Sequence, residues 1–328
     1  MIAHSHQHRH EKYSFDYLAP LTQQELEDTE FINRFMQLKS QHSKIQYELA
    51  STAFINDFIK LKQQHAWTKQ REKALSQFDS YGLNDLNNAN LMNRVDSKFL
   101  LPISFLPDLL RQLHEHYKVL DIDGKRSFSY ENQYFDTPFM DLYHEHHNGK
   151  LNRYKVRKRR YVDTNTEFLE VKLKNNQKRT IKTRIKLDGN PRNYQQCKAF
   201  IDSEMNEKRL NLDVNQQSGY QRIALANEDA AERLTLDFDL WYNNRRGNNE
   251  VKLPEFFIAE LKQNKKSKRS PFYQLMSQNH IFPTSFSKYC IGCALLYPTA
   301  IKSNRFKATL AKIETYNRTN PSSFFKSN

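Results

Sequence analysis

Glycine is scarce, with seven in 328 residues. Neither GxxxxGK[ST] nor GxGxxG occurs, which excludes the Gly-rich phosphate loops. Cysteine is rarer still: Cys197, Cys290 and Cys293. Three thiols make no disulfide framework and point to a reducing, cytoplasmic setting. Cys290 and Cys293 form a CxxC, but a zinc site needs a second pair. Their run from Tyr289 to Leu296 is apolar, so they read as buried strand cysteines. No apolar run in the sequence approaches the roughly 18 residues a membrane span needs. The N-terminus lacks an apolar signal core. Acidic residues are outnumbered, 37 Asp/Glu against 51 Lys/Arg, a formal net charge of +14. That balance points to acidic partners: nucleic acid, phosphate compounds or an anionic membrane surface. Large apolar side chains are plentiful, with 38% hydrophobic and 12% aromatic residues. This excludes disorder throughout and suffices for a core.

What the chain has instead is alternating charge. Residues 151–186 hold 13 Lys/Arg against 3 Asp/Glu, a net +10 of the chain's +14. Side chains in a strand alternate faces with a period of two. Arg153, Lys155, Arg157 and Arg159 therefore share one face of a first strand. Glu170, Lys172 and Lys174 share one face of a second, opposite Leu169, Val171 and Leu173. Lys182, Arg184 and Lys186 do so on a third, opposite Ile181 and Ile185. Like charges this close repel, so the shared face expects a polyanion.

Four regions follow along the chain. Residues 1–20, with alternating His4, His6, His8 and His10, read as a disordered tail. Residues 21–80 read as a helical extension, with a Thr22/Glu25 capping box and helically spaced Phe31, Ile32, Phe35, Met36 and Phe54, Ile55, Phe58, Ile59. Residues 81–300 alternate strands and helices, and 301–328 read as a C-terminal helix or tail. Strands are expected at Arg94–Leu101, Phe128–Phe135, Glu232–Trp241 and Phe256–Lys262, and helices at Ser104–Tyr117, Tyr194–Met205 and after Ser270-Pro271. In Glu232–Trp241, Leu234, Leu236, Phe238 and Leu240 face one way and Arg233, Thr235, Asp237 and Asp239 the other. Phe286–Leu296 reads as a loop or short strand.

Several strands thus carry charge on one face and apolar residues on the other. Closing such a sheet with its apolar faces outward under helices removes exposed edges. The expected fold is α+β: an antiparallel β-barrel with a charged lumen, covered by helices, plus the N-terminal helical extension. A dry lumen of this charge would be unstable. It becomes sensible if it binds a chain of phosphates, with a divalent metal on the carboxylates.

These segments resemble the VTC (vacuolar transporter chaperone) family, polyphosphate polymerases of the triphosphate tunnel metalloenzyme (CYTH-like) superfamily. The carrying motifs are LMNRVDSKFLLP (91–102), the long run to YKVRKRRYVD (134–163), FLEVKLK (168–174), KRTIKTRI (178–185), RLTLDFDLWY (233–242), FIAELK (257–262) and SFSKYCIGCALL (285–296). The style is that of stand-alone bacterial members, without the fused membrane helices of fungal ones. The resemblance implies catalytic roles for Lys98, Arg157 and Arg159 as an Arg-x-Arg phosphate clamp, Lys172, Lys182, and the Ser287-Lys288 pair. It implies substrate binding by Arg222 and Arg233, and metal binding by Glu260. Arg94, Lys155, Lys174, Arg184 and Lys262 join the substrate-binding set by strand parity. Asp237 and Glu170 are further metal candidates, or counter-charges to neighbouring cations. Tunnel hydrolases open with Glu-x-Glu-x-Lys, where this chain has Arg94-x-Asp96-x-Lys98; Asp96 reads as an ion-pair partner. His144, His146 and His147 read as surface histidines. Lys158 and Arg160 fall on the outer face.

The implied function is metal-dependent transfer of the γ-phosphoryl group of ATP to inorganic polyphosphate, with Mn²⁺ or Mg²⁺. Arginine suits this because its fork grips phosphate oxygens and never loses its charge. The alternatives are a tunnel triphosphatase that gives the phosphate to water, and a non-catalytic polyanion-binding module. Nucleic acid is not expected, because the basic strands carry few aromatics on the charged face. A separate membrane protein could receive the polymer.

Overall fold

The computed structural model describes residues 21–42, 49–83, 85, 95–177, 179–187, 194–205, 211–244 and 247–319. The His-rich tail, Arg94 and the last residues lie outside these. Contacts divide the chain into two compact units, at Glu72/Lys73.

The first unit is helical: α1 (Gln23–Glu27), α2 (Thr29–His42) and most of α3 (Leu49–Ser76). The expected capping box is present, with Thr22 N donating to Glu25 Oε2 at 2.7 Å and Glu25 N donating to Thr22 Oγ1 at 3.2 Å. Phe31, Phe58 and Leu61 are buried against Phe35 and Leu38. Lys69 pairs with Asp28 at 2.9 Å.

In the second unit, eleven strands among the described residues join one sheet. They are β1 (Ser80–Tyr81), β2 (Val95–Pro102), β3 (Lys118–Leu120), β4 (Phe128–Asp136), β5 (Arg153–Tyr161), β6 (Thr166–Lys174), β7 (Thr180–Leu187), β8 (Asp213–Asn227), β9 (Glu232–Asn244), β10 (Glu250–Leu253) and β11 (Phe256–Gln263). The main path runs β2-β11-β9-β8-β4-β5-β6-β7, antiparallel throughout. The expected antiparallel sheet with one cationic face is there. Its closure is not: among the described residues no pairing joins the edge strands β2 and β7. The sheet curls without completing its ladder.

Helices cover the apolar outer face. Tyr154, Val156, Leu169 and Val171 pack with Phe200 and Ile201 of α6 (Tyr194–Glu204). Phe99 meets Phe272 of α7 (Pro271–Gln278) edge-on, centroids 5.2 Å apart. α4 (Leu106–Leu113) buries Leu106, Leu109, Leu110 and Leu113. α5 (Asp141–His147) is pinned by Asp136, whose buried carboxylate accepts from Leu142 N and Tyr143 N at 2.9 Å each and from Tyr289 Oη.

Phe286–Leu296 is not a loop or strand. Lys288–Leu296 is a helix, α8, capped by Ser287, whose Oγ accepts from Cys290 N at 3.2 Å. Cys290 and Cys293 are therefore buried helix cysteines. An all-apolar helix and a buried strand look alike in sequence; the serine cap decides it. With α9 (Lys307–Thr319), α8 fills one end of the concave face, packing Ile291, Leu296 and Ile313 on Leu100, Tyr220, Leu240, Tyr242 and Ile258. Gly292 permits this approach: a Cβ there would sit 2.5 Å from both Gln216 Oε1 and Tyr242 Cδ1. Gly292→Ala should lower stability by about 1–3 kcal/mol through overpacking. Thermal unfolding checks it; an unchanged melting temperature would show that α8 shifts freely.

The expected β9 alternation breaks at Asp239. Its φ is 51°, and the β8 register slips between Gly219 and Gln221. The extra residue, a β-bulge, turns Leu240 onto the face of Tyr220 and Asp237, away from that of Phe238.

Candidate active site

Register brings the charged residues together. Lys155 lies opposite Lys172, Arg157 opposite Glu170, and Arg159 opposite Phe168 on β5–β6. Lys172 lies opposite Lys182, and Glu170 opposite Arg184, on β6–β7. At the other end, Arg222 faces Asp237, Glu260 faces Lys98 and Thr235, and Lys262 faces Asp96 and Arg233. Neighbours Ser287 and Lys288 tie the ends together. Ser287 Oγ accepts from Lys155 Nζ on β5 at 2.8 Å, while Lys288 reaches Asp237 on β9. Two strands separate β5 and β9 in the sheet, so the sheet must wrap around the start of α8.

Three carboxylates organise the wall, each between two cations. Glu170 takes Arg157 Nε at 2.6 Å and Lys182. Asp237 takes the fork of Arg222 at 2.5 and 2.7 Å, and Lys288. Glu260 takes Lys98 at 2.6 Å and Lys262 at 2.9 Å. Burial pushes all three carboxyls up, but the cations outweigh it. Glu170 falls to about 2, and Asp237 and Glu260 lie well below the usual range. Two cations per carboxylate leave the wall positive before Lys155, Arg159 and Lys172 are added.

Lys172 has no hydrogen-bond or ion-pair partner among the described residues. The Arg157 guanidinium, burial and Arg159 hold its ammonium well below the lysine range, against the pull of Glu170. Burial and the neighbouring cations also hold Lys155 down.

The arginines are aimed by neutral groups that the motifs did not single out. Arg159 donates to Asn132 Oδ1 at 3.0 Å and Tyr220 Oη at 2.8 Å; Arg157 also donates to Tyr134 Oη, at 3.4 Å. Tyr130 and Tyr220 stack at 5.3 Å, and Arg159, Arg222 and Lys288 lie over their rings. The signal was present in FSYENQYFD, where Tyr130, Asn132 and Tyr134 share parity. On β5–β7 two aromatics, Tyr161 and Phe168, join the charged face; their rings meet edge-on at 5.8 Å, and Arg184 lies over Phe168 at 4.6 Å. Arg233 keeps a buried Nε with no hydrogen-bond partner among the described residues. Lys158 and Arg160 pair with Glu167 and Glu131 at 3.2 and 3.5 Å, on the other face from Arg157 and Arg159.

Among the described residues, no three His, Cys, Asp or Glu side chains converge as a metal cage. A hard cation carried by phosphates needs only one or two carboxylates. Side-chain exposure separates the candidates: Glu170 is 0% and Asp237 1% exposed, whereas Glu260 is 17% exposed. Of these three, Glu260 is the carboxylate that fits a phosphate-borne Mg²⁺ or Mn²⁺.

The model of the VTC domain family matches residues 93–297. The chain belongs to the VTC domain family. Solved structures similar to it include a putative adenylate cyclase from Vibrio parahaemolyticus (15% identity, 60% of this chain and 97% of that one, TM-score 0.38) and one from Bacillus halodurans (15%, 60% and 96%, 0.40). Another is a putative adenylyl cyclase from Hippeastrum described as having a dominant triphosphatase activity (13%, 61% and 95%, 0.36). No curated protein sequence matched. No helix among the described residues of this VTC protein is long and apolar enough to cross a membrane.

Proposed function

We propose that this VTC domain transfers the γ-phosphoryl group of ATP to an inorganic polyphosphate chain lying along the concave face, releasing ADP. The observation that carries the reading is a line of unsatisfied donors. Arg157 Nη2, Arg159 Nη1 and Lys172 Nζ have no hydrogen-bond partner among the described residues, while the other donors of the two arginines are fixed by Glu170, Tyr134, Asn132 and Tyr220. Fixed cations with free donors are what a phosphoryl transition state needs: charge neutralisation and in-line positioning, with little covalent chemistry from the protein. Arg157, Arg159 and Lys172 would grip the transferred group. Lys98, Lys262, Arg222 and Lys288 would neutralise the flanking phosphates. Glu260 would hold a divalent metal that screens phosphate charge when bound. Glu170 and Asp237, sealed between cations, would act as counter-charges.

Incubating the purified protein with ATP and Mn²⁺, and following ADP, phosphate and polyphosphate together, tests this. ADP with long polyphosphate is the expected result. ADP with free phosphate alone would make the protein a triphosphatase, and tight polyphosphate binding without turnover would make it a binding module.

A further inference from the structure

His146 sits near the end of α5, beside the start of β5. Arg153 Nε donates to its Nδ1 at 3.1 Å. A guanidinium only donates, so Nδ1 is the acceptor and the ring proton lies on Nε2. That Nε2–H is buried and has no partner among the described residues. After burial, the strongest influences on the ring are the cations Lys155, Arg153, Arg305 and Lys174, which hold it neutral, down to about 2. Arg153 and Lys174 are register partners at the open end of β5–β6, one pleat beyond Lys155 and Lys172. Lys174 has no hydrogen-bond or ion-pair partner among the described residues. Arg305 is fixed by donating to His147 O at 3.0 Å and lies over Gly149.

A buried N–H without an acceptor is costly, and so is an uncompensated group of cations. One oxyanion relieves both, whereas a metal cation would be repelled. We propose that His146, Arg153, Lys174 and Arg305 form a second oxyanion subsite, which grips a phosphate unit of a long polyphosphate chain beyond the Arg157–Lys172 centre. Lys155 and Lys172 bridge the two along the same face. The choice of ligand rests on the polyphosphate reading above; the subsite itself rests on the His146 geometry.

Titration calorimetry of the full chain with tripolyphosphate and with long-chain polyphosphate tests it. His146→Ala should weaken long-chain binding about tenfold or more, the loss expected for a hydrogen bond to a charged acceptor. Tripolyphosphate, which the inner centre can hold alone, should change much less. Lys174→Gln, which breaks no observed contact, should act in the same direction, and circular dichroism would confirm both folds. Wild-type affinity for long chains in both variants overturns the subsite. Equal losses for short and long ligands also overturn it, since the variants would then act through the inner centre. If the wild type makes no polymer yet shows the His146-dependent preference for long chains, the subsite stands and the polymerase reading fails.

Discussion

Lys172→Met should lose at least about a hundredfold in ATP-dependent turnover while raising the melting temperature of the ligand-free protein. The two effects share one cause. Lys172 is a cation with no ion-pair partner among the described residues, facing Arg157, Arg159 and Lys182. Without phosphate it is repelled; removing it relieves the wall at similar side-chain volume. With phosphate bound it becomes a transition-state contact, and such donors are commonly worth a hundredfold or more. The pH dependence has a definite sign. A lysine whose folded pKa is depressed binds protons more readily unfolded, so stability rises with pH between the folded value and the unfolded 10.5. The variant should lose that rise. ADP-release kinetics, with melting curves at neutral and alkaline pH, check all three outcomes. Near-normal turnover, or a fall in melting temperature, would remove Lys172 from the centre.

Glu260→Gln should abolish metal-dependent turnover while leaving phosphate-chain binding intact or tighter. Of the three carboxylates held between two cations, Glu260 is the one that solvent reaches most. The amide keeps its size but loses the charge a hard cation needs. It also lifts one negative charge from a wall that attracts anions. Stability falls, because Lys98 and Lys262 lose their shared counter-charge, and breaking a buried pair costs about 3 kcal/mol. The carboxyl's folded pKa is depressed, so its contribution is present above the unfolded 4.5 and lost as pH falls through the folded value. The difference between variant and wild type should therefore shrink in strong acid. Polyphosphate binding and Mn²⁺-dependent turnover, measured side by side, separate the roles. Full activity at low Mn²⁺ would leave Glu260 a counter-charge only.

Much of the site could be read from strand parity. Arg157 and Arg159 share a face because a period of two leaves no alternative within a regular strand, and the apolar residues flanking Lys172 and Lys182 mark the opposite face of theirs. The same rule failed at Asp239, where one residue in the left-handed region turned Leu240 inward. β8, the long strand Asp213–Asn227, was missed except for Arg222. Its polar side chains, Gln216, Ser218 and Gln221, dilute the alternation that a strand reading depends on.

By itself the sequence determined that this protein has antiparallel strands with a cationic face, because alternation and like-charge density are local properties. It also marked the helical N-terminal segment, through its cap and spacing. Only the tertiary structure decided which cation meets which carboxylate, that α8 is a helix filling the concave face, and that the sheet curls without closing. It alone left Lys172 without an ion-pair partner and His146 with a buried donor and no acceptor among the described residues. These are contacts between segments far apart in the chain, fixed by register, a bulge and the close approach at Gly292, none of which has a short-range sequence signal.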